Sequence, residues 1–185
     1  MVSPHPAVRR IELIGSRAEG RETAWSDWDL GVEASDFSVL ARALPGLLAP
    51  LQPLVAQWDR LSREWCWMLI LVGPVKVDLI FVDEPHEPEP PWEPSAANLS
   101  AIDNHFWDWM LWLKGKEAAG KREVVSAELE KLFGHLLEPL GKPQAPTSTA
   151  GALRSYRAAR DRTERLFGTR VPREVEEAVA PALGG

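Results

Sequence analysis

Asp27 and Asp29 are separated by a single tryptophan in the run WSDWDLGV, and they follow Gly15-Ser16 by ten intervening residues. Side chains alternate faces along a strand, so two acids at i and i+2 point the same way, roughly 7 Å apart at the backbone. Aspartate is a poor strand former. Two like charges on one face repel unless a cation lies between them. Trp28, Leu30 and Val32 fall on the other face and are expected to point toward a core. The ordinary alternative is a solvated acidic pair near a turn, and the apolar alternation around Asp27 and Asp29 argues against it.

A third acid lies further on. VKVDLIFVD, residues 75–83, is the β-branched and apolar run of a strand covered on both sides, with Asp78 in its middle. A carboxylate there must be paired with a lysine or arginine, or bound to a metal. If that strand lies beside the Asp27–Asp29 strand, three hard oxygen ligands converge, a set that suits Mg²⁺ and substrate phosphate. Gly15-Ser16 sits between an apolar strand and a helix start. By itself such a turn is an ordinary N-cap. Next to the acids it becomes a phosphate cradle, with close-approaching backbone N–H groups, the Ser16 hydroxyl and the Arg17 cation. A phosphate cradle beside a metal-binding acid trio points to nucleotidyl transfer.

In order and context, Gly-Ser, a spacer, Asp-x-Asp and a later hydrophobic-Asp-hydrophobic strand resemble the DNA polymerase β-type nucleotidyltransferase superfamily. The likeness is greatest to its small bacterial members, the aminoglycoside nucleotidyltransferases and minimal nucleotidyltransferases. It covers about residues 8–83. It implies that Gly15 and Ser16 bind phosphate, that Asp27 and Asp29 hold metal, and that Asp78 is the third acid of a two-metal Mg²⁺ site. The implied substrates are a nucleoside triphosphate, with ATP expected, and an acceptor hydroxyl on a small molecule of aminoglycoside type. A helical toxin served by an antitoxin, or a protein hydroxyl, are the alternative partners. DNHFWDW, residues 103–109, followed by LKGKEAAGKREV, is similar to the helical domain of streptomycin-type adenylyltransferases. That likeness implies a general base in this region, with Glu123 the candidate and Asp103 and Glu117 its rivals. The acceptor is expected between core and helical domain, the usual place for a site at a domain junction.

The elements that must position these residues can be read from pattern. The expectation is an α/β protein, with a small mixed-sheet core over residues 1–83, an acidic proline-rich linker over 84–94 and a helical domain over 95–185. In the core, strands are expected at 8–14, 27–33, 54–58, 65–72 and 75–82, the last two joined by the turn Gly73-Pro74. Helices are expected at 16–22 and 37–49. EPHEPEPPWEP, residues 84–94, suits neither a helix nor a central strand. Beyond it, helices are expected over 98–119, 121–137, 152–167 and 172–183, with a loop over 141–151 and Pro172 in a first turn. The first of these is apolar on several faces, so it is buried on more than one side or pairs with a partner or a second copy.

Composition narrows the classes. The 185 residues are 45% apolar and 26% charged, with a net charge of −6. Acidity argues against general nucleic-acid binding and suits a cationic acceptor. No run reaches the length of a membrane span, and a signal-peptide pattern is absent. Cys66 is the single cysteine, which precludes an internal disulfide and fits a reducing cytoplasm. Of nine tryptophans, Trp65, Trp67, Trp107, Trp109 and Trp112 read as core or interface, and Trp25 is placed to stack on a base or acceptor ring. Cys66, His105 and His135 read as packing residues. Arg154, Arg157, Arg160, Arg162 and Arg165 read as solvated faces, with Arg154 and Arg157 sharing one that can reach a triphosphate.

Overall fold

The computed structural model describes residues 5–184. Its chain divides into two units. One comprises the residues up to Glu22 together with Ser26–Glu89, the other Thr23–Trp25 together with the chain from Pro90 onward.

The first unit is a five-stranded mixed sheet with short helices. Its strands are β1 (Val8–Ile14), β2 (Trp28–Ala34), β3 (Val55–Trp58), β4 (Glu64–Leu71) and β5 (Val75–Pro85), in the spatial order β1-β2-β5-β4-β3. β2 and β5 run parallel, and the other neighbours are antiparallel. Gly73, at φ 105°, makes the tight turn between β4 and β5. Alternation then sorts the side chains. Val32, Trp67, Leu69, Leu79 and Phe81 share one face and form the core with Leu40 and Leu44. Those two come from helix α2 (Phe37–Leu48), whose N-cap Asp36 accepts a hydrogen bond from the Val39 amide at 2.9 Å. Phe37, Trp58, Trp65, Trp67 and Phe81 interlock mostly edge to face, as at Trp58–Trp67 (centroids 4.9 Å apart) and Phe37–Phe81 (5.0 Å). Each such pair contributes about 0.5–1.5 kcal/mol beyond its buried area.

The second unit is helical: α3 (Leu99–Ala118), α4 (Arg122–Leu132), α5 (Thr149–Phe167) and α6 (Glu174–Leu183). Every residue of α3 from His105 to Leu111 is buried. A helix buried all round must be surrounded, and α3 packs against α4, α5 and α6. Thr23–Trp25 belong here because Gly115 of α3 leaves room for the Trp25 carbonyl. A Cβ at Gly115 would stand 2.9 Å from that oxygen. The Lys114 ammonium lies over the Trp25 ring.

Buried polar groups link α3, α5 and α6. Tyr156 donates its hydroxyl to Asp103 at 2.5 Å, and Arg160 bridges Asp103 and Glu176. Arg173 donates to both oxygens of Glu164 at 2.8 Å.

Several expected features differ. The helix expected at 16–22 is one turn, α1 (Gly15–Ala18), stopped near Gly20, which takes a positive φ. Trp28 does not enter the core. It is 41% exposed, with the Arg17 guanidinium 4.2 Å above its ring. β5 extends to Pro85, and the segment after it is held by backbone bonds from His86 to Arg63 and from Glu89 to Arg60. α4 stops at Leu132 and passes into a π-helical turn, Phe133–Leu137. α5 starts at Thr149, inside the expected loop, because Ser148 caps it by accepting from the Gly151 amide. Pro172 precedes α6 rather than lying in its first turn. Glu164 ties down the Val171 amide and Arg173, so the helix begins only at Glu174. Arg160 is 3% exposed, not solvated, because two carboxylates meet it inside the unit.

Candidate active site

The site lies on the sheet face opposite the α2 core. β2 and β5 pair in parallel register with Asp29 directly beside Asp78, and β1 brings Ile14 opposite Asp29. Asp27 immediately precedes β2, on the face of Asp29. One carboxylate oxygen from each of Asp27, Asp29 and Asp78 lies within 4.8 Å of the other two. Three hard oxygen donors at that spacing fit a divalent cation such as Mg²⁺, which takes one or two carboxylates and completes its shell with water and phosphate.

Gly15 follows Ile14 directly and turns the chain over Asp29. Its φ is 68°, and a Cβ there would stand 2.2 Å from Asp29 Oδ2. Only glycine fits both the left-handed backbone and the close approach. Ser16 is the next residue in the same turn of helix. Arg17 turns back within the unit. Its Nε and Nη2 donate to the carbonyls of Ser26 and Asp27. Together with its stacking on Trp28, this fixes the loop that delivers Asp27 to the cluster.

Asp78 is 8% exposed. Burial pushes its carboxyl above the ordinary value, the Lys76 ammonium pulls it down, and Asp27 and Asp59 push it further up. Lys76 donates to Asp78 Oδ1 at 2.6 Å and is as buried as its partner. Sequence reading named a lysine or arginine only as an alternative to metal at Asp78. The structure places a lysine on Asp78 and keeps Asp78 in the acid trio. Lys76 was readable in principle, because Lys76 and Asp78 are two apart on one strand and must share a face.

The three carboxylates named for a general base all lie in the second unit. Glu123 is exposed in the first turn of α4. Asp103 is buried and bonded to Tyr156 and Arg160. Its carboxyl is pushed up by burial, with Tyr156 and Arg160 pulling it down. Glu117 accepts a hydrogen bond from Thr149 at 2.8 Å.

Among the packing residues, Cys66, Trp67, Trp107, Trp109 and His105 are buried. Trp25 is 37% exposed. Arg157 is bound to Glu176, and Arg162 donates to the Leu140 carbonyl. Among the described residues, no helix is long and apolar enough to cross a membrane.

No protein-family model and no curated protein matches the chain. Among solved structures, it is similar to an aminoglycoside 6-adenyltransferase from Bacillus subtilis. The identity is 10% and the TM-score 0.37, covering 98% of this chain and 92% of that one.

Proposed function

We propose that the protein is a metal-dependent nucleotidyltransferase that moves a nucleoside monophosphate, AMP in the first instance, from a triphosphate to an acceptor hydroxyl on a small molecule of aminoglycoside type. The observation that carries this reading is the convergence of Asp27, Asp29 and Asp78 within 4.8 Å under the Gly15 turn. Bound Mg²⁺ would supply Lewis-acid polarisation of the α-phosphate and charge neutralisation. Asp27 and Asp29 would hold it, with Asp78 the third acid of the cluster. Gly15 and Ser16 offer backbone N–H groups and a hydroxyl to the phosphates, and Arg17 keeps the Asp27 loop in place. The acceptor oxygen forms a new bond to the α-phosphorus, the bond from that phosphorus to the bridging oxygen breaks, and pyrophosphate leaves. The hydroxyl proton passes to a general base or to water.

The test is a screen of labelled nucleoside triphosphates against aminosugars and related antibiotics, read as pyrophosphate release. Transfer by the wild type and none by Asp29→Asn, with an unchanged circular-dichroism spectrum, is the expected result. Wild-type turnover in Asp29→Asn overturns the proposal.

A further inference from the structure

Lys76 is a buried charged residue of the sheet to which the sequence patterns gave no role. Its ammonium sits 2.6 Å from Asp78 Oδ1. Both residues are 8% exposed, and β4 places Ile70 opposite Lys76 and Met68 opposite Asp78. A buried ammonium hydrogen-bonded to a buried carboxylate cannot leave it for water without a large cost. The position is therefore a fixed positive charge on one oxygen of Asp78.

We infer that Lys76 is a positioning residue whose ammonium replaces a second cation on Asp78, so that the site takes one divalent cation, on Asp27 and Asp29. The inference rests on the proposed function, since it concerns the metal of that same site. It also gives Asp78 a distinct part. Clamped by Lys76, Asp78 is held against Asp29 in the strand register and sets the direction in which the cation-binding pair faces. The ammonium supplies its charge before any substrate arrives and needs no free metal to do so.

The count of bound cations tests this without reference to turnover. Mn²⁺ is titrated into the whole protein with α,β-methylene ATP, and bound metal is counted by electron paramagnetic resonance. Wild type should saturate at one Mn²⁺ per chain. Lys76→Met keeps the stem without the charge and should take up a second, while Lys76→Arg should stay at one. Two Mn²⁺ per wild-type chain overturns the role of Lys76 and leaves the nucleotidyltransferase reading standing. No Mn²⁺ in the wild type, with or without nucleotide, overturns both. A well-folded Lys76→Met that still binds one Mn²⁺ also overturns the role. If Lys76→Met does not fold, the wild-type count decides by itself.

Discussion

Replacing Gly15 with alanine should disable the site through a single methyl group. The backbone there has φ 68°, which costs an alanine about 1–2 kcal/mol. The new Cβ would stand 2.2 Å from Asp29 Oδ2, 3.1 Å from its Cγ and 3.2 Å from its Cβ, where real Cβ contacts essentially never fall below 3.0 Å. The carboxylate must therefore retreat by about 1 Å, and a displacement of that size costs about 100-fold in a positioned reaction. That is about 2.7 kcal/mol of barrier. Gly20 is the internal control. It has nearly the same backbone, φ 65°, with nothing within 4 Å of its would-be Cβ. Both Gly15→Ala and Gly20→Ala should lower the melting temperature by about 2–8 °C, the shift expected for about 1–2 kcal/mol in a chain this long. Only Gly15→Ala should weaken Mn²⁺ binding, by about 10–100-fold, the range seen when support of a metal ligand is lost. Isothermal titration of Mn²⁺ reads the affinity and differential scanning calorimetry the stability. Equal Mn²⁺ affinity in the two variants would refute the reasoning, because the Asp29 contact would then have no consequence.

Three further outcomes follow from the geometry. Tyr156→Phe removes the hydroxyl that Asp103 accepts from inside the second unit. It should cost about 1–3 kcal/mol in urea unfolding, and an unchanged midpoint would show that Arg160 alone satisfies the acid. Glu164→Gln breaks the two-pronged contact with Arg173 and should cost about 1.5–3 kcal/mol near neutral pH. The Arg173 guanidinium holds the Glu164 carboxyl below its ordinary value of 4.5, so this stability is present above that pH and lost as pH falls through the lower folded value. Wild type and Glu164→Gln should therefore converge in acid-side denaturation, and a gap that persists at low pH would contradict the assignment. Arg17→Met should loosen the Ser26–Asp27 backbone and raise proteolytic cleavage there. Cleavage at the wild-type rate would show that its bonds to those carbonyls are dispensable.

Much of the fold was legible because its signals are local. The strand at Val8–Ile14 and the turn at Gly73 follow from alternation and from glycine's freedom. Asp27 and Asp29 must share a face wherever a strand carries them. Other features depended on what packs where. Trp28 was expected inside on parity alone, but its ring carries Arg17 and stays 41% exposed. Arg160 looked like its solvated neighbours on α5, and only Asp103 from α3 and Glu176 from α6 make it a buried residue. Ser148 and Glu164 moved helix starts: Ser148 caps α5 through the Gly151 amide, inside a stretch that carries no periodic signal, and Glu164 reaches across a loop to the Val171 amide.

The sequence by itself determined the chemistry on offer: an aspartate pair at strand spacing, a third aspartate in an apolar run, and a glycine-serine turn ahead of them. Those are properties of single segments, set by backbone geometry. Only the tertiary structure decided that β5 inserts beside β2 in parallel, with Asp78 level with Asp29, and that Lys76 stands on Asp78. Residues 49 positions apart in sequence meet only when the sheet closes between them, and no local propensity encodes that register.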